Sequence, residues 1–93
     1  MPTPPTHIDG AQVLEWAWSD RPFGQVQSRE DGHAVPIHGL AICSYGSPDE
    51  VYRFSCGPDW ACEQDEVYLT VAQAKSDLPR QYRDVDAFWQ TAT

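Results

Sequence analysis

The chain has 93 residues, 41% of them hydrophobic and 12% aromatic, which suits one domain with one modest core. Six Lys and Arg stand against 14 Asp and Glu, a formal net charge of -8. That balance argues against binding nucleic acid or an anionic membrane through a basic surface, and it makes a basic protein the electrostatically favoured partner.

The start, Met1-Pro2-Thr3-Pro4-Pro5-Thr6, is expected to be extended and poorly ordered, because proline supports neither ladders nor helices. Residues 7–93 are expected to form one compact unit. Asp9-Gly10 reads as a turn. After it, Leu14, Trp16 and Trp18 recur at period two, and a first strand is predicted over about 12–18 with these three on one inward face. From 20 to 38 the chain is polar and turn-rich, with Pro22, Gly24, Gly32 and Pro36. It reads as the longest loop and a place to look for binding, with Phe23 and Val26 pinning one end and Ile37 beginning the next strand.

The most strongly β-forming stretch follows. Leu40-Ala41-Ile42-Cys43-Ser44-Tyr45 and Val51-Tyr52-Arg53-Phe54-Ser55-Cys56 flank the turn Gly46-Ser47-Pro48-Asp49, predicting an antiparallel hairpin with strands over about 39–45 and 50–56. Alternation puts Tyr52, Phe54 and Cys56 on a core face and Val51, Arg53 and Ser55 on a more solvated one. Leu40 and Ile42 are expected to join Phe54, since that gathers most apolar bulk on one side.

Gly57-Pro58-Asp59 is a second turn, and a fourth strand is predicted over about 60–64, interrupted by Asp65-Glu66. Thr70-Val71-Ala72-Gln73 matches a capping box that opens a helix over about 70–78, ended by Pro79. Its stripe of Val71, Ala74 and Leu78 should pack on one face of the sheet. A short helical turn over about 84–90, capped by Asp84, would close the core with Val85, Phe88 and Trp89. The expected fold is therefore α+β, with a small antiparallel sheet of three to four strands and one packed helix.

Nucleotide-binding and catalytic signatures are absent from the sequence: it has no GxGxxG, P-loop, GxSxG, HExxH or EF-hand loop. His33, His38, Cys43, Cys56 and Cys62 are ligand types that zinc accepts, but they lack the spacing of a zinc site. A thiolate with an imidazole and Asp49 or Asp59 would supply a nucleophilic site, although buried thiols more often simply pack. No cofactor and no metal are expected.

Three Cys without a CxxC pair indicate reduced thiols. No apolar run is long enough to cross a bilayer, and the start lacks the regions of a signal peptide, so a cytoplasmic setting is expected.

The remaining feature is acidic and aromatic. Asp59, Trp60, Glu63, Asp65 and Glu66, continued by Asp49 and Glu50 and flanked by Tyr68, form a candidate surface for a basic or mixed-charge protein. The expected function is a non-enzymatic interaction module, of which an inhibitor or immunity-type protein is one form. A small Cys and His enzyme or metal protein is the alternative. A structural subunit whose exposed Trp form an interface is the second.

Overall fold

The computed structural model describes residues 2–28 and 30–92; Met1 of the Pro-rich start, Arg29 of the turn-rich stretch and the terminal Thr93 lie outside it. In chain order the strands are β1 (His7–Ile8), β2 (Ala11–Trp18), β3 (Gly24–Gln27), β4 (Ala34–Ile37), β5 (Gly39–Ser44), β6 (Val51–Cys56), β7 (Cys62–Tyr68) and β8 (Gln90–Thr91). One helix, α1 (Val71–Ser76), and a 3-10 turn (Arg80–Asp84) precede β8. The main sheet runs β1-β2-β5-β6-β7, with β8 sharing the β1 side of β2, and β3 and β4 form a separate hairpin. No helix among the described residues is long and apolar enough to cross a membrane.

This corrects the α+β expectation. Strands take 43% of the described residues and helical turns 12%, and a single six-stranded sheet curls into a half-barrel. The supposed loop over 20–38 is a hairpin in which Phe23, Val26 and Ile37 are buried. The strand expected over 60–64 runs instead from Cys62 to Tyr68, with Asp65 and Glu66 inside it. The expected helix is only six residues long, because Asp77 leaves helical geometry ahead of Leu78-Pro79. The closing turn falls at Arg80–Asp84 rather than over 84–90, and Phe88 points to solvent.

Local chemistry accounts for the turns. Asp9 and Gly10 both have positive φ, the requirement of a two-residue turn that matches strand twist, and they bring Ile8 opposite Ala11. Thr70 caps α1, its hydroxyl accepting from the Gln73 N–H at 3.1 Å. The Gln73 side chain reaches back one residue further than a capping box requires, accepting from Leu69 N–H at 3.2 Å.

The central hairpin has a register opposite to the expected one. Ala41 lies across from Phe54 and Cys43 across from Tyr52, so Leu40 and Ile42 share the face of Ser55 and Arg53. Nor is that second face solvated: Val51, Arg53 and Ser55 are all buried. A bulge between Val13 and Glu15 likewise reverses the alternation of β2, sending Leu14 to the second face while Trp16 and Trp18 stay with Val13 on the first.

The first face gathers Ile8, Val13, Trp16, Cys43, Phe54 and Trp60. The second is covered in two patches. Phe23, Val26 and Ile37 from the β3–β4 hairpin and Tyr82 from the 3-10 turn enclose Leu40, while Ala74 of α1 sits on Ile42 and Val51.

Trp60 holds the first face closed from the turn 57–61. Its backbone is left-handed (φ 66), an uncommon state for a bulky side chain. The turn is tied by Trp60 N–H donating to Gly57 O, Gly57 N–H to Ala61 O and Ala61 N–H to Asp59 Oδ1. The indole meets Trp16 edge-on at 6.0 Å and Trp18 at 5.5 Å, and it lies directly over Gly39. A Cβ at position 39 would stand 2.5 Å from the ring. Gly39→Ala should therefore displace Trp60 and cost roughly 1–3 kcal/mol, read as a lower urea midpoint at an unchanged denaturant slope.

Candidate functional site

β7 is the outermost strand of the sheet; among the described residues its ladder is with β6, and β3 approaches it. Its sequence, Cys-Glu-Gln-Asp-Glu-Val-Tyr, offers little apolar bulk, so Gln64, Asp65, Glu66 and Val67 are exposed. Charged side chains on such an edge also discourage sheet-to-sheet aggregation.

The pairing of β7 with β6 separates the residues that the sequence groups together. Asp65 lies opposite Phe54 on the first face, whereas Glu66 lies opposite Arg53 on the second. Asp59 and Glu63 do converge: together with Asp9, Glu30 and Cys62 they line a cavity of about 480 Å³ at the start of the strand. Asp49 and Glu50 line a groove of about 440 Å³ at its far end, with Val67, Leu69, Gln73 and Asp77. Glu66 borders a third cavity, with Arg53, Tyr68, Arg80 and Arg83. Carboxylates thus occupy the whole length of the outer strand and both its ends.

Trp60 does not belong to this surface. It is 6% exposed, and its ring is committed to Gly39, Trp16 and Trp18. Four participants escaped the sequence reading. Asp9 and Glu30 are far away in the chain and join only through the β1–β2 turn and the tip of the β3–β4 hairpin. Val67 and Leu69 are 53% and 69% exposed, and their position in an otherwise acidic strand end was the available signal.

Cys43, Cys56 and Cys62 pack together on the first face, and the His38 backbone N–H donates to the Cys56 carbonyl at 3.0 Å. His33 is exposed, while His38 places Nδ1 2.8 Å from the Ser19 carbonyl and stacks on Trp18. Cys56 is the pairing neighbour of Cys62, and Cys43 lies two strands from the outer edge. Among the described residues no group of three or more His, Cys, Asp or Glu is arranged to hold a metal ion. Asp49 and Asp59 sit in the separate turns on either side of β6.

Burial, reinforced by the charges of Cys62 and Asp9, pushes the Cys43 thiol up to about 12, and burial also raises Cys56. The Tyr52 hydroxyl is raised by its hydrogen bond to Glu50, and Tyr82 by burial that its bond to Ser55 partly offsets.

The raised thiols have a defined signature. Between the ordinary value of 9.0 and about 12, Cys43 is protonated in the folded chain and ionised in the unfolded one. Unfolding releases a proton in that window, so stability should fall as pH rises through it. Urea midpoints measured across the window check this, and a flat profile contradicts it. At about pH 8 a thiol reagent should reach Cys43 and Cys56 only on unfolding.

Compared with known proteins, the chain matches no family model, no curated protein and no solved structure.

Proposed function

We propose that this chain is a small non-enzymatic interaction module that holds a basic or mixed-charge protein along β7. The observation that carries the reading is an outer strand exposing Asp65 and Glu66 and ending in exposed Val67 and Leu69, with carboxylates grouped at both ends.

Each part of that arrangement has a physical task. Carboxylates of one sign steer a basic partner and fix its orientation, while the apolar pair supplies area that is desolvated on contact. The groove beside Val67 and Leu69 gives a partner side chain a place to seat, ringed by Asp49, Glu50 and Asp77. Trp60 acts indirectly in this reading, by fixing the turn that carries Asp59.

An inhibitor or immunity-type protein that masks a basic toxin or nuclease fits the same features. A cytoplasmic setting is part of the proposal, in keeping with the unbridged Cys43 and Cys56. A thiol enzyme built on Cys43 or Cys56 is less well supported, because burial holds both of those thiols protonated. An interface built on Trp16 is also less well supported, since Trp16 is buried within the fold.

Affinity capture from the native lysate, with variants as controls, tests the proposal. A stoichiometric partner should be retained at low salt, weakened at high salt, and weakened at least about tenfold by joint reversal of Glu63, Asp65 and Glu66 to Lys. Leu69→Asp should weaken the same partner with the fold intact by circular dichroism. Retention of that partner by both variants would overturn the proposal.

A further inference from the structure

One cavity runs against the charge of the molecule. It occupies about 330 Å³ on the second face and is bordered by Arg53, Glu66, Tyr68, Asp77, Arg80 and Arg83. Of the six Lys and Arg in the chain, three therefore gather at one place in a protein of net charge -8. None of these three is ion-paired among the described residues, where Lys75 is paired with Glu15 at 2.9 Å.

Arg53 is 2% exposed and permanently charged. Its Nη1 donates to the Ala74 and Asp77 carbonyls at 3.1 and 2.8 Å, and its guanidinium carbon lies 5.1 Å from the centre of the Tyr68 ring. These contacts orient the group without neutralising it, and its Nε–H has no hydrogen-bond partner. A buried cation is costly unless a counter-charge approaches it. Arg83 donates Nε–H to Leu78 O at 3.1 Å, which leaves its terminal nitrogens uncommitted, and Arg80 is exposed beside it.

We infer that this cavity is an oxyanion site, taking a phosphate dianion or the phosphate group of a small monoester. Arg80 and Arg83 grip the oxygens, with Arg53 as the fixed positive charge behind them. Guanidinium forks match phosphate geometry. The overall negative charge is a weak obstacle, because charges beyond about 10 Å are screened at 0.1 M salt. Local charge decides, and it consists of three guanidiniums against the carboxylates of Glu66 and Asp77. Glu66, across the strand pair from Arg53, is then a competitor for the same cations.

That competition gives the test. The full chain is titrated by NMR with inorganic phosphate, with glycerol 3-phosphate and with sodium chloride at matched ionic strength. Saturable shifts at the Arg53, Arg80 and Arg83 Nε–H signals, produced by the phosphates and absent with chloride, are expected. Tighter binding of the ester than of inorganic phosphate would assign the site to a small phosphate monoester, and the reverse to the free ion. Joint substitution Arg80→Gln and Arg83→Gln, both exposed, should weaken binding about tenfold or more, and Glu66→Gln should tighten it severalfold. Shifts that fail to saturate, that chloride reproduces, or that survive the double substitution unchanged would overturn the inference. A Glu66→Gln variant that binds no more tightly would also overturn it.

Discussion

The β5–β6 hairpin is covered on both faces, and the rest of the molecule is arranged to provide that cover. Ala41, Cys43, Phe54 and Cys56 meet the tryptophans and the N-terminal strands, while Leu40, Ile42 and Val51 meet the β3–β4 hairpin, α1 and the 3-10 turn. Two polar residues are buried in the process, and each recruits a covering element. Ser55 accepts the Tyr82 hydroxyl at 3.0 Å, which ties down the 3-10 turn, and Arg53 satisfies the last carbonyls of α1. A helix of six residues has little stability alone, so its position depends on these contacts.

Burial on both sides leaves the inner strands no surface for binding. Exposed chemistry is pushed to β7, the outermost strand beside them, and to the turns at its ends. The two-residue alternation there gives neighbouring carboxylates different surroundings. Asp65 emerges beside Phe54, whereas Glu66 emerges beside Arg53 and the arginine cavity. One strand can therefore present an acidic edge to a protein and still border a site of opposite sign.

Much of the local structure was legible in the sequence. The hairpin around Gly46, the turn at Asp9-Gly10, the Thr70 cap and the stop before Pro79 all follow from backbone chemistry confined to a few residues. What failed depended on distant partners. Arg53 alternates with Phe54 and so looked solvated, and the carbonyls it meets on burial belong to α1 and its cap Asp77, more than twenty residues away. The choice of face for Leu40 turned on a single residue of register, and the bulge in β2 is not marked by any residue type. Of the candidate surface, the carboxylates of β7 were legible as a group. Their division between two faces, and the loss of Trp60 to the core, were set by pairing with β6 and by the close approach to Gly39.

Amide hydrogen exchange by NMR, on the chain alone and bound to its captured partner, tests the role of β7 most directly. Alternate amides of an outer antiparallel strand point away from the sheet. In the free chain those of β7 should exchange fast while β5 and β6 exchange slowly, and in the complex the β7 amides and Leu69 should become protected. Protection that arises elsewhere, with β7 unchanged between the two states, would contradict the assignment of the outer strand as the binding edge.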